Sequence, residues 1–135
     1  MKVLVDTSVW SLALRRNLPY INMQIEVQQL TELILASLVV MVGPVRQELL
    51  SGISDESTYM RLKDKLDAWG DLQITTEDYV TAASFYNKAR KRGIQGSHVD
   101  FLLCAIAFNH KLIIFTTDKD FDHYADILPI RLFKP

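Results

Sequence analysis

The chain has 135 residues, of which 49% are hydrophobic and 23% are charged, so it is expected to fold as one domain spanning residues 1–135. The formal net charge is −1, which argues against a protein that holds duplex nucleic acid through bulk positive charge. The single cysteine, Cys104, excludes a disulfide framework and a cysteine-rich zinc site. We interpret Cys104 as a buried small hydrophobic residue and expect a cytoplasmic protein.

Export and membrane insertion are not expected. The apolar run near the N-terminus covers only residues 3–5 before Asp6 interrupts it, which is too short for a signal peptide. The longest nearly uncharged stretch, residues 33–45, is too short to cross a bilayer and contains Gly43 followed by Pro44.

Short apolar runs alternate along the chain with longer stretches of helical periodicity. The apolar runs predict strands at residues 3–5, 38–42, 72–75, 112–115 and 130–133. The periodic stretches predict helices at about residues 7–16, 22–37, 44–50, 55–69, 76–92, 97–110 and from 118 onward. Strands that are apolar on both faces and separated by helices form parallel sheets. The sequence therefore predicts a three-layer α/β/α fold whose central, mostly parallel sheet has about five strands.

Four acidic residues lie where such a sheet would bring side chains together. Asp6 directly follows the first strand, and Asp118 follows the strand at 112–115 after two threonines. Glu48 lies about one turn into the helix after the second strand, and Asp100 lies in the first turn of its helix. Because ligands bind beyond the carboxyl ends of parallel strands, these four residues are the candidate site.

Each acid also has an ordinary structural explanation. Asp6 and Asp118 can cap helices, Asp100 can form a capping box with Ser97, and Glu48 can face solvent. Taken together, however, four carboxylates at one sheet edge repel one another unless a cation is present. Oxygen ligands favour Mg²⁺ or Mn²⁺, and the three histidines form no metal-ligand spacing with one another or with the cysteine. Such a site supports metal-assisted hydrolysis.

Four sequence motifs occur in order across nearly the whole chain. They are VLVDTSVW at 3–10, VRQEL at 45–49, KRGIQGSHVDFLLCAIA at 91–107 and TTDKDF at 116–121. Together they resemble the four signature blocks of the PIN domain family, and most closely its VapC branch, the toxin ribonucleases of bacterial toxin–antitoxin pairs. The resemblance implies a PIN-like fold and a metal-dependent endoribonuclease that leaves 3′-hydroxyl and 5′-phosphate ends.

The resemblance also implies roles for individual residues. The acidic quartet of the family, which is catalytic and surrounds Mg²⁺ or Mn²⁺, corresponds to Asp6, Glu48, Asp100 and Asp118. The auxiliary acid and the supporting hydroxyl groups correspond to Asp120, Thr7, Ser8 and Thr116. His98 and Val99 depart from the family, which more often has small or hydroxyl residues there. We expect His98 at the surface, with contact to a substrate phosphate as the alternative.

Substrate contact requires local cations, because the chain is almost neutral overall. The candidates for RNA binding are Arg15, Arg16, Arg46, Arg90 and Arg92, with Lys88 and Lys91 beside the last two. Compensation of helix dipoles is the alternative role for the cations at the two helix ends. We predict single-stranded or looped RNA as the substrate in preference to duplex DNA.

The resemblance further implies a homodimer and a small VapB-like antitoxin that holds each toxin inactive. Apolar side chains near the first two helices exceed what one core face needs; they are Trp10, Leu14, Tyr20 and Ile21. Ordinary core packing and a partner groove are both open explanations for them. If they form a partner groove, an amphipathic segment of the antitoxin would bind there, and one of its basic side chains would extend toward the acidic quartet.

Two other classes of function are alternatives to the nuclease. A receiver-like phosphotransferase would use Asp6 as phosphoryl acceptor, but such sites generally need a second acid beside the first or a lysine at a later strand end. Thr7 and Ser8 follow Asp6 instead. A non-catalytic binding module is the other alternative, although it would have no reason to keep four mutually repelling carboxylates.

Overall fold

The structure is a computed structural model that describes residues 1–14 and 21–134, apart from the side chains of residues 21–24. Its strands are β1 (Val3–Val5), β2 (Val39–Val40) and β3 (Ile113–Phe115). Its helices are α1 (Thr7–Leu14), α2 (Ile21–Leu35), α3 (Gly43–Leu50), α4 (Glu56–Leu66), α5 (Thr76–Lys91), α6 (His98–Asn109) and α7 (Asp120–Ile127). Each of these elements coincides with a segment predicted from the sequence, to within a few residues at its ends.

The three strands form one parallel sheet in the order β2-β1-β3. β1 lies in the centre, where Val3 is opposite Val39 on one side and Ile113 on the other. Val3, Leu4 and Val5 are at most 1% exposed, as expected for a parallel strand that is covered on both faces. The predicted α/β fold with a central parallel sheet is confirmed.

The prediction of about five strands is wrong for the two outer positions. In the described part of the chain, each outer segment contributes a single parallel bridge in place of the strand expected at 72–75 or 130–133. The bridged pairs are Asp71 with Met41 and Leu132 with Ile114. An outer segment has a neighbour on one side only, and a short edge also limits pairing with other chains.

α6 is buried on all sides along its middle and packs along α5. Its buried residues are Phe101, Leu103, Cys104, Ala105, Ile106 and Ala107. Burial raises the pKa of the Cys104 thiol, which therefore stays protonated, and the interpretation of Cys104 as a buried hydrophobic residue is confirmed. Because α6 begins at His98, this packing also fixes the position of Asp100 in its first turn.

A buried acid joins the start of α5 to the end of α6. Asp78 is 0% exposed and forms a reciprocal capping box with Thr75. Its carboxylate accepts hydrogen bonds from the Thr75 amide and the Asn109 side chain, both at 2.9 Å, and contacts His110 Nε2 at 3.0 Å. Burial by itself raises the pKa of Asp78, but the hydrogen bonds and the imidazole outweigh it and hold the pKa below its usual range.

Several predicted helix ends differ from the observed ones. The helix predicted over 55–69 ends at Leu66, and the helix predicted from about residue 118 begins at Asp120. The end of the helix predicted over 7–16 lies outside the described residues. Among the helices that the structure describes, none has the length and hydropathy that a membrane span requires.

Candidate active site

A cleft of about 300 Å³ lies beyond the carboxyl ends of β1 and β3. Asp6 enters it from the end of β1, and Asp118 from the loop after β3. Glu48 of α3 and Asp100 of α6 also line it. Hydroxyl groups of α1 and apolar side chains of α3 and α6 complete the wall. The structure thus brings the four acids predicted from the sequence to one cleft.

Two hydroxyl groups orient the Asp6 carboxylate. Ser8 Oγ and Thr116 Oγ1 both donate to Asp6 Oδ2, at 2.9 and 2.8 Å. Ser8 Oγ also accepts the Thr117 amide at 3.0 Å, which ties α1 to the loop after β3. The main-chain carbonyl of Asp6, in turn, accepts the amide of Val9. The side chain of Asp6 is therefore oriented by hydroxyl groups, whereas its backbone begins the helix.

Asp118 and Asp120 line different cavities. Asp118 lines the acidic cleft, whereas Asp120 lines a neighbouring cavity of about 300 Å³ together with His123. The Asp118 amide donates to Thr116 Oγ1 at 3.0 Å, and Asp118 Oδ1 accepts the Asp120 amide at 2.9 Å. The N-cap residue of α7 is Lys119, without a side-chain cap, so Asp118 is not the helix cap that was one alternative for it; it accepts the first amide of α7 from the preceding loop and lines the cleft.

Asp100 is held by hydrogen bonds at the start of α6. Its amide donates to Ser97 Oγ at 3.0 Å, and its Oδ2 accepts the Tyr124 hydroxyl at 2.8 Å. Burial raises the pKa of Asp100; the hydrogen bonds of Tyr124 and Ser97 oppose this, and the Asp118 and Asp6 carboxylates reinforce it. Burial and the Asp100 carboxylate also raise the pKa of Tyr124, so its hydroxyl stays a donor.

Glu48 and Arg46 lie two residues apart on α3 but make different contacts. Glu48 is exposed and lines the cleft. Arg46 Nε donates to Asp71 Oδ1 at 3.0 Å, and the rest of the guanidinium donates to the carbonyls of Leu66 and Trp69. These bonds tie α3 to the end of α4. These contacts give Arg46 a structural role, and its predicted contact with RNA stays a prediction.

The remaining cations predicted to bind RNA fall into two groups. Arg15 and Arg16 lie outside the described residues. Arg90 and Arg92 are exposed at the end of α5. The Arg90 guanidinium lies 5.6 Å from the centre of the Tyr86 ring, which orients this cation near the loop that leads into α6.

His98 lies at the surface, as expected. Its imidazole stacks on the ring of Tyr86 with 4.8 Å between ring centres and 14° between ring planes. Val99, the next residue, lines the acidic cleft. The stacked pair of rings is therefore close in sequence and in space to the cleft.

The cleft offers oxygen donors and space to a divalent metal ion. Within residues 1–14 and 21–134, no three acidic, histidine or cysteine side chains are close enough to form a preassembled metal site. Mg²⁺ does not need one, because it keeps several of its waters and binds one or two carboxylates directly. Four carboxylates around a cleft of about 300 Å³ leave room for such a hydrated ion. The oxygen donors fit Mg²⁺ or Mn²⁺ better than zinc.

Comparison with known proteins defines the class to which this fold and cleft belong. The PIN domain model matches residues 3–127, and the chain belongs to the PIN domain family. Its resemblance to the VapC branch is confirmed by a VapC ribonuclease of Mycobacterium bovis and by ribonuclease VapC11 of Mycobacterium tuberculosis. Each is 31% identical to this chain over 131 residues, which is 96% of both sequences.

Solved structures agree with this assignment at the level of the fold. FitAcB from Neisseria gonorrhoeae has a TM-score of 0.78 at 24% identity, covering 98% of this chain and 97% of that one. VapBC2 from Rickettsia felis, bound to a DNA fragment from its promoter, has a TM-score of 0.74 at 15% identity and covers 98% of both chains. Both similarities extend over essentially the whole fold.

Tyr124 is absent from the site residues predicted from the sequence. It follows Phe121 at helical spacing, a pattern that predicts a core residue, and it is indeed 0% exposed. Its hydroxyl reaches Asp100 only because α7 packs against α6, where its ring lies 4.9 Å from that of Phe101. No local sequence pattern carries that information.

The apolar residues predicted near the first two helices divide between core and groove. Trp10 is 3% exposed and packs edge-on against Trp69 at 5.0 Å, so core packing explains it. Leu14 lines a groove of about 640 Å³ between α1, α3 and α4. Tyr20 and the side chain of Ile21 lie outside the described residues.

Proposed function

We propose that this chain is a divalent-metal-dependent endoribonuclease of the VapC type, the toxin of a cytoplasmic toxin–antitoxin pair. The observation that carries the proposal is the convergence of four carboxylates, from four different parts of the fold, on one cleft beyond the ends of β1 and β3. The 31% identity to VapC ribonucleases over nearly the whole chain supports the same activity.

The four carboxylates of Asp6, Glu48, Asp100 and Asp118 would hold Mg²⁺ or Mn²⁺. When bound, the metal lowers the pKa of a water and offsets charge on the scissile phosphate. Ser8 and Thr116 hold one Asp6 oxygen in place, which directs the carboxylate before any ligand arrives. The half-buried Asp100 and the exposed Glu48 line the cleft from two different elements, α6 and α3, and would complete the ligand set.

The substrate is single-stranded or looped RNA. The cleft is lined with acids, so phosphates away from the metal need cations outside it. Arg90 and Arg92, with Lys88 and Lys91, stand exposed at the end of α5, before the loop that leads to Asp100. We assign them to the RNA backbone and leave Arg46 out of this set.

Asp6→Asn is expected to lower the single-turnover rate of RNA cleavage by about 1,000-fold. Asparagine keeps an acceptor for Ser8 and Thr116, so the fold is retained while the charge is lost. The measurement is cleavage of a mixed RNA pool in Mg²⁺, with the exposed Asp64→Asn as matched control. Equal cleavage by Asp6→Asn and the unmodified chain would contradict the proposal.

The groove between α1, α3 and α4 is the proposed binding site of the antitoxin. Leu14, Leu49, Ile53 and Leu62 supply apolar lining, and Arg61 and Lys65 supply charge. An amphipathic segment with apolar and acidic side chains is complementary to this lining.

Leu62→Asp is expected to abolish co-purification with the protein encoded by the neighbouring reading frame, because it places a charge in the apolar lining. Met60→Asp, on an exposed position of the same helix, should leave co-purification intact. If the neighbouring protein neither binds this chain nor suppresses its toxicity, the proposed pairing is wrong.

The homodimer implied by the family has a candidate surface on α5 and α6. Large apolar side chains are exposed on these helices outside the cleft, at Tyr79, Val80 and Phe108. Exposed apolar area of this kind marks contact surfaces in soluble proteins. We place the contact between two copies there, away from the antitoxin groove.

A further inference from the structure

We infer that Tyr124 is a positioning residue that holds Asp100 in the geometry required for metal binding; this inference rests on the proposed function. The Tyr124 hydroxyl, from α7, donates to Asp100 Oδ2, on α6, at 2.8 Å. The Tyr124 side chain is 0% exposed and Asp100 is half-buried, so water reaches this hydrogen bond only from the Asp100 side. The bond restrains one carboxylate oxygen and leaves the other for a ligand in the cleft.

Aromatic packing holds the Tyr124 ring in place. Its centre lies 4.9 Å from the ring of Phe101 on α6 and 5.1 Å from the ring of Phe121 on α7. The ring is therefore packed between side chains of α6 and α7. The hydroxyl cannot turn away from Asp100 unless these core side chains also move. Hydrogen bonds from groups that do not touch the metal orient the ligands that do, and their loss lowers metal affinity.

Gly96 makes room for the hydroxyl. A Cβ at this position would overlap the Tyr124 hydroxyl and lie 2.9 Å from the Phe101 ring. The two glycines with positive φ are Gly52 and Gly93. The backbone conformation at position 96 therefore does not require a glycine. Its lack of a side chain instead allows Tyr124 to reach Asp100.

Tyr124→Phe is expected to weaken Mn²⁺ binding by about tenfold or more, measured by titration in the absence of RNA. The substitution removes one oxygen and keeps the ring that fills the core. Gly96→Ala should also weaken Mn²⁺ binding, because the added methyl group displaces the Tyr124 hydroxyl without removing it.

Phe85→Leu is the matched control. It loosens the core at the Phe108 ring, 5.8 Å from Phe85 and at the opposite end of α6 from Asp100, and it leaves the rings that hold Tyr124 unchanged. Thermal unfolding of the metal-free proteins reports the structural effect of each variant separately. We expect Phe85→Leu to lower the unfolding midpoint and to keep Mn²⁺ affinity within about twofold, whereas Tyr124→Phe mainly lowers Mn²⁺ affinity.

Each outcome is decisive. Unchanged Mn²⁺ affinity in Tyr124→Phe, with Mn²⁺ binding by the unmodified chain, overturns the inference and leaves the proposed function intact. An equal loss of affinity in Tyr124→Phe and Phe85→Leu also overturns it, since the effect would then be one of general core packing. If the unmodified chain neither binds Mn²⁺ nor cleaves RNA, the proposed function fails and the inference fails with it.

Discussion

Asp118→Asn is expected to lower RNA cleavage by about 1,000-fold or more, and Asp120→Asn by only about 10- to 100-fold. The two acids are separated by a single residue, yet only Asp118 lines the acidic cleft. Asp118 follows β3 closely and is held by Thr116, whereas Asp120 is the first residue of α7. A direct bond from both carboxylates to one small octahedral ion is therefore not expected.

Single-turnover cleavage and Mn²⁺ titration on the two variants test this ranking. Asp118→Asn should also weaken Mn²⁺ binding severely, whereas Asp120→Asn should retain measurable activity. The matched control is Asp126→Asn, an exposed acid of the same helix, which should leave the rate within about twofold. If Asp120→Asn proves the more damaging change, the ligand roles of the two acids must be exchanged.

Asp78→Ala is expected to lower the free energy of unfolding by about 2–4 kcal/mol. The substitution removes the capping box of α5 and takes the Asp78 carboxylate away from the half-buried side chains of Asn109 and His110. The effect should be confined to stability, since Asp78 lies at the far end of α6 from Asp100. Urea unfolding at pH 7 measures it, and the exposed Asp64→Ala should change stability by less than about 0.5 kcal/mol.

The pH dependence of stability gives a second test of Asp78. Its pKa in the folded protein is lowered, so its stabilising contribution is present above the unfolded pKa of about 3.9 and is lost as pH falls through the folded pKa. The unmodified chain should therefore lose stability more steeply below about pH 4 than Asp78→Asn does. If stability falls with pH in parallel for the unmodified chain and Asp78→Asn, the stabilising role assigned to the Asp78 carboxylate is wrong.

The order of elements was predictable from local sequence because burial on both faces leaves a strong pattern. The apolar runs at 3–5 and 112–115 became β1 and β3, and Ser97 caps α6 as its spacing with Asp100 indicated. The outer segments at 72–75 and 130–133 have the composition of strands but pair through single bridges. Strand length at an edge depends on the neighbouring segment, which local composition does not encode.

The candidate site was predictable where residues act from the ends of strands and helices. Asp6 and Asp118 follow buried strands, so the sheet itself delivers them to the cleft. The structural contact of Arg46 was not predictable, because its partner Asp71 lies 25 residues further along the chain. Tyr124 was missed for the same physical reason: its contact with Asp100 depends on how two helices pack, and its own sequence surroundings are those of a core residue.

Removal and restoration of divalent metal tests directly whether RNA cleavage by this chain depends on a metal ion. The chain, freed of metal with excess EDTA, is incubated with a mixed RNA pool before and after Mg²⁺ or Mn²⁺ is added beyond the chelator. We expect cleavage to disappear in EDTA and to return with either ion, since the four carboxylates need a cation to hold a phosphate. Cleavage that continues undiminished in excess EDTA would contradict it.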